Sequence, residues 1–352
     1  MRGVLSVIGR FPDGRVIYMV PGSFPAFGYI AFGVIDRGTN VLQARPTTLC
    51  PQRCAFCSVD AGLESSSRWA EFLVEPELIV RGVEEAVRVK GGGIEVLLDS
   101  MGDVLTYPWL VNLVEELKGV PGVSSVALET HGLLLSKTLI DRLNNAGLDR
   151  INLSIDTVSD EKAYYLYGTR YYSVSRIMKL AEYIARETSI DLHVTPLWLP
   201  GVNDDDVTEL VKWAVQIGAG KKWPPVTIQK YVRHKRGRKL EGVREVSWRE
   251  FWAWISRVEE ETGLKLHWTM EEWGMRYTKR LALPARRGDR ITVEVAGRGL
   301  FKGEYLGVAE KKGTSFLVAV FPGRRLLKPG SMVTVEVIED RDGLITGRAL
   351  ND

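Results

Sequence analysis

Three cysteines lie within eight positions of one another in a chain of 352 residues that has no other cysteine. Cys50, Cys54 and Cys57 have the spacing C-x3-C-x2-C in the stretch LCPQRCAFCSVDAG. An odd number of closely spaced thiols does not suit a disulfide framework, whereas clustered thiolates bind a metal ion or an iron–sulfur cluster. Structural zinc takes four ligands, and the nearest histidine, His131, is distant in sequence. Three thiolates on a four-iron cluster leave one iron open to a cofactor; the alternative is structural zinc.

Two histidines and a group of tyrosines are further candidates for chemistry. His131 and His193 stand near the ends of predicted strands, where either could act as an acid or base. For both histidines the alternative is a structural role. For the tyrosines that follow the fourth predicted strand, the alternative is packing of a helix against the sheet. These tyrosines are Tyr164, Tyr165, Tyr167, Tyr171 and Tyr172.

The elements that position these residues alternate between strand and helix. The predicted strands are 41–47, 94–100, 124–130, 150–156, 191–199 and 226–232. The predicted helices are 76–89, 108–119, 136–147, 173–187, 203–218 and 248–263. This alternation indicates an α/β fold with a parallel sheet and crossover helices. About six units are too few for a closed eight-stranded barrel, so we expect a partial (β/α)6 barrel over residues 41–280, with its chemistry at the carboxyl ends of the strands.

Short strands flank this unit on both sides. Residues 1–40 are predicted to form a small N-terminal β extension, broken by Pro21 and Pro25. Residues 283–352 contain five short apolar stretches separated by Gly, Pro and Asp turns, a pattern typical of a small β-barrel. We therefore expect two folded units and a short extension.

The positive charge of the chain is concentrated in one segment. The net charge is only +3, but residues 221–249 contain ten Lys or Arg against two Glu. A basic segment of this kind indicates a polyanionic partner, and a solvated basic loop is the alternative. The chain has no run of eighteen apolar residues and no stretch that reads as a signal peptide. We expect a cytoplasmic protein with no membrane partner.

The stretch CPQRCAFC resembles the signature of the radical S-adenosylmethionine (SAM) superfamily. The cysteine spacing, the place directly after the first barrel strand and the aromatic Phe56 before the last cysteine all match. The resemblance implies a [4Fe–4S] cluster on Cys50, Cys54 and Cys57, with the open iron bound by the amino and carboxylate groups of SAM. It also implies an electron donor, since one electron cleaves the sulfonium and leaves a 5′-deoxyadenosyl radical that abstracts hydrogen.

The same resemblance implies further cofactor-binding residues. DSMGDVLTYPWL, at 99–110, is similar to the glycine-rich turn of the family, with Gly102 and Asp103 as its Gly-acid pair, although Met101 and Val104 depart from the pattern. The acidic side chain or nearby carbonyls would meet the ammonium group of SAM. Thr130, Ser154 and Asp156 lie at strand ends, where the resemblance implies hydrogen bonds to the methionine or ribose of SAM. It also implies that Val194 or Leu197 packs on the adenine of SAM.

Residues 283–352 resemble the TRAM domain, a small OB-like β-barrel that binds RNA. The stretches RRGDRITVEVAGRG and LKPGSMVTVEVIEDRDGLITGRAL carry the resemblance. A barrel that serves only as a structural lid is the alternative. The basic residues that could meet phosphates are Lys302, Lys311, Lys312, Arg324, Arg325 and Lys328.

A radical SAM unit followed by a TRAM barrel resembles the architecture of the tRNA methylthiotransferases. Those enzymes carry three more cysteines for an auxiliary cluster, and this chain has none. We therefore expect a transferase-like radical SAM enzyme that modifies a nucleoside in RNA. The expected RNA is tRNA. The added group would come from a cosubstrate, a second protein or SAM itself. The alternatives are a radical SAM enzyme acting on a small molecule or peptide, and a non-catalytic iron–sulfur protein that binds RNA.

Overall fold

The computed structural model describes residues 4–350, which form sixteen β-strands and seven α-helices. The strands, numbered in chain order, are β1 Ser6–Arg10, β2 Val16–Val20, β3 Gly33–Asp36, β4 Val41–Arg45, β5 Ala70–Val74, β6 Ile94–Leu98, β7 Val123–Thr130, β8 Arg150–Leu153, β9 Asp191–Val194, β10 Leu197–Trp198, β11 Gln229–Lys230, β12 Arg290–Arg298, β13 Tyr305–Lys311, β14 Thr314–Phe321, β15 Met332–Glu339 and β16 Thr346–Ala349. The helices are α1 Pro76–Lys90, α2 Leu110–Gly119, α3 Lys137–Asn145, α4 Asp160–Tyr167, α5 Val174–Glu187, α6 Asp204–Ile217 and α7 Trp248–Thr262.

A curved parallel sheet forms the centre of the molecule. Its order is β3-β4-β6-β7-β8-β9, in which β3 is antiparallel to β4 and every later neighbour is parallel. A parallel bridge between Val194 and Val226, together with the β10–β11 pair, adds a short sixth parallel element to the five parallel strands of this sheet. The expected α/β partial barrel is confirmed. The predicted strand 226–232 is reduced to this bridge and the two residues of β11.

Helices between the strands bury one apolar face on the sheet. In α5 the buried residues Ile177, Ala181 and Ile184 are spaced three and four apart, so that they share one face. In α7 Ser247 and Glu250 form a capping box, and Gly263 ends the helix in a left-handed conformation that glycine adopts without strain. Helix α4 lies where the sequence pattern predicted none. It supplies the buried Tyr167.

The N-terminal residues are divided between two sheets. Strands β1 and β2 pair with each other, and β2 pairs in parallel with β5, which gives a separate three-stranded sheet. Strand β3 instead joins the central sheet through β4. The chain therefore enters the central sheet before residue 40, where the predicted extension ended.

The five C-terminal strands close into a β-barrel of order β12-β13-β14-β16-β15. This barrel packs against the segment before β5, since the amide of Trp69 donates to the carbonyl of Leu300 at 3.0 Å and the amide of Lys302 donates to Ser67 at 2.7 Å. The Tyr29 hydroxyl donates to the Glu304 carboxylate at 2.7 Å. Within residues 4–350, no helix combines the length and hydropathy that crossing a bilayer requires.

Candidate active site around the three cysteines

A cavity of about 380 Å³ lies at the carboxyl ends of the parallel strands. Cys50, Cys54 and Cys57 are free thiols that all line it. They belong to the segment between β4 and β5, residues 46–69, which we call the cysteine loop. Among residues 4–350, no three His, Cys, Asp or Glu side chains converge on the position of a single metal ion. Thiols that share one cavity without meeting at one point suit a polynuclear cluster, in which each thiolate binds its own iron.

Local hydrogen bonds shape the cysteine loop into tight turns. The amide of Cys57 donates to the carbonyl of Cys54 at 3.2 Å, and the amide of Ala61 donates to the sulfur of Cys57 at 3.3 Å. Gly62 has φ +88°, and a Cβ there would lie 1.7 Å from the carbonyl oxygen of Gln52. This position therefore requires glycine.

The thiols are held away from water. Burial raises the pKa of Cys50 to about 12, and it also raises the pKa of Cys54 well above its usual range. A bound metal removes the proton of a coordinating thiol outright. Iron coordination would therefore be what converts Cys50 and Cys54 to thiolates.

The glycine-rich turn packs directly against the cysteine loop. Gly102 lines the cavity, and a Cβ there would lie 2.1 Å from the carbonyl oxygen of Leu49. The Asp103 carboxylate turns away from the cavity and accepts hydrogen bonds from the amide of Leu105 and the hydroxyl of Thr130, both at 2.9 Å. Asp103 and Thr130 are buried and do not line the cavity. In this structure the two residues support the turn, and their contact with the cofactor stays a prediction.

Ser154 and Asp156 do line the cavity. The Ser154 hydroxyl lies 3.0 Å from that of Thr195. The Asp156 carboxylate accepts hydrogen bonds from the amide of Leu197 at 2.7 Å and from the hydroxyl of Tyr167 at 3.1 Å. Burial raises the pKa of Asp156. These bonds fix the ends of two neighbouring strands around the cavity.

The remaining candidates separate into cavity residues and core residues. Leu197 lines the cavity, whereas Val194 is buried in the core. His131 also lines it and donates from Nδ1 to the carbonyl of Ser154 at 3.0 Å, which leaves Nε2 without the ring proton. His193 is buried against Trp273, and burial lowers its pKa to about 3. It stays neutral and is placed for packing.

The tyrosines divide in the same way. Tyr167 and Tyr172 are buried, with their ring centroids 4.3 Å apart. The hydroxyl of Tyr167 accepts from the amide of Asp156 and donates to its carboxylate, so this ring supports the cavity from behind. The others, Tyr164, Tyr165 and Tyr171, are exposed.

Arg68, which the sequence pattern did not single out, joins the segments that surround the cavity. Its guanidinium is fully buried and donates to the carbonyls of Thr48 at 3.0 Å and Val59 at 2.9 Å, and also to the carbonyl of Met101. It also pairs with the Glu71 carboxylate at 2.9 Å. One side chain thus ties both ends of the cysteine loop to the glycine-rich turn.

Part of the basic segment lies across the cysteine loop. We call residues 231–240 the strap. The amide of Arg238 donates to the carbonyl of Cys57 at 2.8 Å, and its guanidinium donates to Cys54 at 3.3 Å. A Cβ at Gly237 would lie 2.7 Å from the carbonyl oxygens of Cys57 and Ser58, so the strap approaches the loop closely because residue 237 has no side chain.

The strap also contacts the C-terminal barrel. Arg236 pairs with Glu304 at 3.1 Å and lies 4.4 Å from the centre of the Phe301 ring. Two of the cations predicted to meet a polyanion are therefore engaged within the protein. The side chains of Arg233, Lys235 and Lys239 remain exposed.

A second group of lining residues comes from the strands and was not foreseen from the sequence. Arg45 ends β4, Asp99 follows β6, Glu129 lies near the end of β7, and Gln229 and Lys230 form β11. In the sequence, each of these positions is a charged or amide residue near the end of a strand. Such residues can be recognised as a cavity wall only when the curvature of the strands is known.

The comparisons with known proteins agree with this site. Residues 45–214 match the Radical SAM superfamily. The "Uncharacterized protein MJ0103" of Methanocaldococcus jannaschii is 32% identical over 340 residues, which cover 91% of this chain and 78% of that protein. A GTP 3′,8-cyclase from Streptomyces coelicolor is 32% identical over 189 residues. That match covers 53% of each chain, so this chain spans about half the length of the cyclase.

Solved structures show more distant similarity. SuiB of Streptococcus suis bound to S-adenosylmethionine has a TM-score of 0.47 and 17% identity, over 63% of this chain and 49% of that one. The hydrogenase maturase HydG of Carboxydothermus hydrogenoformans has a TM-score of 0.49 and 15% identity, over 62% and 50%. With its three cysteines at one cavity of a partial barrel, and a relative aligned along nearly its whole length, this chain belongs to the radical SAM superfamily, whose cofactors are a [4Fe–4S] cluster and SAM.

Proposed function

We propose that this radical SAM enzyme abstracts hydrogen from a nucleoside of RNA, with tRNA as the first candidate. When bound and reduced by an electron donor, the cluster and SAM supply a 5′-deoxyadenosyl radical. The cavity at the three cysteines would receive the nucleoside, and the barrel beside it would hold the RNA. The proposal rests on one observation: the barrel packs directly on the cysteine loop through Ser67 and Trp69.

Different residues of the site would bind the cluster, bind SAM and support the cavity. Cys50, Cys54 and Cys57 would hold three irons of the cluster. The absent side chain at Gly102 lets the glycine-rich turn pack against the carbonyls of Thr48 and Leu49 at the edge of the cavity, and Leu197 offers the adenine an apolar surface. Behind the cavity, Asp103 and Thr130 brace the glycine-rich turn, and in its wall Asp156 fixes the backbone of Leu197.

Exposed cations near the cavity support a polyanionic substrate. His234 lines the cavity, and its neighbours Arg233 and Lys235 are exposed to solvent. Phosphate contacts supply much of the affinity of nucleic-acid complexes and need not carry sequence information. The two cations could therefore hold the backbone of an RNA whose nucleoside enters the cavity.

The barrel offers a second set of cations. The side chains of Lys302, Lys312, Arg324 and Lys328 are exposed, as an RNA-binding face of the TRAM type requires. Arg325 is partly buried, and Lys311 is engaged in an ion pair with Asp289 at 2.6 Å. We propose the four exposed cations as the barrel's share of the RNA-binding surface.

The chain has no cysteine beyond the three at the cavity. A sulfur or methyl group therefore cannot be carried on a further cysteine of this chain. We propose that the group transferred comes from a cosubstrate, from a second protein or from SAM.

An anaerobic assay tests the proposal. The cluster is reconstituted, dithionite and SAM are added with or without bulk tRNA, and 5′-deoxyadenosine is quantified alongside nucleoside digests analysed by mass spectrometry. We expect tRNA to stimulate 5′-deoxyadenosine formation and a nucleoside of new mass to appear. The Cys54→Ala variant, which lacks one cluster ligand, is the inactive control. If tRNA does not change the rate of 5′-deoxyadenosine formation, the substrate is a molecule other than RNA.

A free nucleotide is the second candidate. The relatives named GTP 3′,8-cyclase match about half of this chain, and Arg236 and Arg238 of the strap are engaged within the protein rather than presented to RNA. Adding GTP in place of tRNA to the same assay separates the two candidates. If RNA binds to a fully loaded cluster protein and no 5′-deoxyadenosine forms, the protein is a non-catalytic RNA-binding one.

A further inference from the structure

Charged residues at the strand ends form a polar wall of the cavity. Arg45 donates from Nη2 to the Asp99 carboxylate at 2.8 Å and from Nη1 to the carbonyl of Ile30 at 2.7 Å. Gln43 donates to the same Asp99 oxygen at 2.8 Å. Asp99 is thus engaged through one carboxylate oxygen, Oδ2. It is held in place by two side chains of the neighbouring strand β4.

Glu129, the other acid in this wall, is less constrained. Gln229 hydrogen-bonds to its carboxyl group, and the positive charge of Arg45 acts on it from the same wall. No ion pair of Glu129 occurs within residues 4–350. Burial and then the negative charge of Asp99 raise its pKa to about 7. Glu129 therefore stands in the cavity as a carboxyl group with hydrogen-bonding capacity to spare.

The cations of this wall already have partners. Arg45 pairs with Asp99, and Lys230 pairs with Glu245 at 3.1 Å. A phosphate placed here would have to break one of these ion pairs, so the wall favours a neutral polar group instead. One buried donor of this wall lacks a hydrogen-bond partner: the Nε of Arg45, a residue that is only 6% exposed and lines the same cavity.

We propose that this wall binds a guanine base, with Glu129 accepting from the base and Arg45 donating to it. The inference rests on the proposed function, because it names the nucleoside which that site would take. A carboxylate has two oxygens side by side and accepts two neighbouring hydrogen bonds. Guanine presents two neighbouring donors, N1–H and the N2 amino group, followed by the O6 acceptor.

The other bases match this wall less well. On the edge used for base pairing, adenine offers only its N6 amino group as a donor, cytosine only its N4 amino group and uracil only N3–H. Each would leave one oxygen of Glu129 without a donor from the base. A buried polar group without a partner is costly, so the wall discriminates against these bases. A base in RNA would reach the wall only when turned out of its stack.

Binding of mononucleotides tests the inference without any turnover. Holoenzyme with SAM is dialysed above about pH 8, where Glu129, with its pKa of about 7, is ionised, against guanosine, inosine, adenosine, cytidine and uridine 5′-monophosphates. We expect guanosine monophosphate to bind most tightly. Inosine monophosphate, which lacks only the N2 amino group, is expected to bind about tenfold more weakly. This comparison uses the wild-type protein, so it does not depend on whether any variant folds.

Glu129→Gln provides the second measurement. The amide replaces one acceptor oxygen with a donor, so we expect guanosine monophosphate to lose about tenfold or more in affinity, with adenosine monophosphate little changed. Glu209→Gln, which alters an exposed carboxylate on α6, is the matched control and should bind as the wild type does. Iron content, compared between the variants, shows that each retains its cluster.

The outcomes separate this inference from the proposed function. Equal affinity for the five nucleotides, or unchanged guanosine monophosphate affinity in Glu129→Gln, would overturn the guanine site even if tRNA stimulates turnover. A guanine preference that Glu129→Gln abolishes supports the site even if tRNA has no effect. In that case the RNA proposal fails alone and a free guanine nucleotide takes its place.

Discussion

The Nε of Arg238 lies 2.9 Å from a carboxylate oxygen of Asp60, and this ion pair joins the strap to the cysteine loop. Asp60 is buried, and its other oxygen accepts from the hydroxyl of Ser65 and the amides of Ser66 and Ser67 at 2.8–2.9 Å. Burial alone would raise the pKa of Asp60, but these hydrogen bonds and the Arg238 charge hold it below its usual range. The carboxylate therefore stays ionised and keeps the strap in place.

Replacing Arg238 by Met should expose the cluster to oxygen. The variant loses the ion pair with Asp60 and the guanidinium bond to the carbonyl of Cys54, so the strap is held less firmly over the cysteine loop. We expect the iron–sulfur absorbance to decay several-fold faster in air than in the wild type. Lys235→Met, at an exposed position of the same strap, is the control. Equal decay rates in all three proteins would show that the strap does not protect the cluster.

A second prediction concerns pH and Glu129. Its pKa is raised to about 7 in the folded protein, against about 4.3 in an unfolded chain. The folded state therefore binds the proton more tightly, and this contribution to stability is complete below about pH 4.3 and lost as pH rises through about 7. Glu129→Gln removes the titration. Relative to the variant, the wild type should lose about 2–3 kcal/mol of unfolding free energy between about pH 5 and about pH 8.

Urea unfolding of the anaerobic apoprotein at several pH values measures this difference. Glu209→Gln is again the control, because its exposed carboxylate should leave the pH profile of the wild type unchanged. Parallel profiles for wild type and Glu129→Gln would mean that the Glu129 carboxyl is ionised across the whole range. The wall would then carry a fixed negative charge instead of a group that titrates near neutrality.

Much of the fold and the centre of the site could be predicted from the sequence because the signals are local. The spacing of Cys50, Cys54 and Cys57 falls within one loop, and the helices follow from apolar residues three and four apart. The predicted helix 248–263 differs from α7, Trp248–Thr262, by a single residue at its end. Such elements depend on neighbours within one or two turns.

The features that the sequence did not predict depend on contacts between distant segments. Asp103 matches a family pattern, but its carboxylate turns toward Thr130, which lies 27 positions later. Arg238 reads as a phosphate-binding cation, yet its partners precede it by just over half the length of the chain. Glu129 and Arg45 face one cavity only because the strands curve. A charged residue near a strand end does not itself reveal which way its side chain turns.

Arg68 should be the most sensitive single position for stability. Arg68→Met removes a buried cation and leaves Glu71 with Arg15 at 2.5 Å and the hydroxyl of Thr48 at 2.6 Å as partners. Breaking a buried ion pair from one side typically costs about 3–5 kcal/mol, and here three backbone carbonyls also lose their donor. We expect a loss of this size in urea unfolding of the apoprotein.

Two further variants separate charge from shape at this position. Arg68→Lys keeps the positive charge but cannot reach Thr48, Val59 and Met101 together, so it should recover part of the loss. Adding Glu71→Gln to Arg68→Met removes a buried acid that has lost one of its two cationic partners, while Arg15 keeps its ion pair with Asp13, so this change should also recover part of the loss. If Arg68→Met were as stable as the wild type, the buried guanidinium would not be what joins the cysteine loop to the glycine-rich turn.

The last prediction concerns the missing side chain at Gly102. Its Cβ would lie 2.1 Å from the carbonyl oxygen of Leu49 and 2.5 Å from that of Thr48, so Gly102→Ala must push the turn away from the cysteine loop. Overpacking of this kind costs about 1–3 kcal/mol. When this cost is paid in the complex with SAM, it lowers the affinity for SAM about tenfold. We expect SAM to bind about tenfold more weakly, measured by the change it causes in the EPR spectrum of the reduced cluster.

Gly119→Ala is the matched control for this substitution. Gly119 ends α2, and a Cβ there would have no atom within 4 Å, so SAM affinity should not change. Both variants should keep the iron content of the wild type, because neither alters a cysteine. If Gly102→Ala binds SAM as tightly as Gly119→Ala does, the turn at 99–110 does not contact the cofactor. The cavity would then have to bind SAM through Ser154, Asp156 and Leu197 alone.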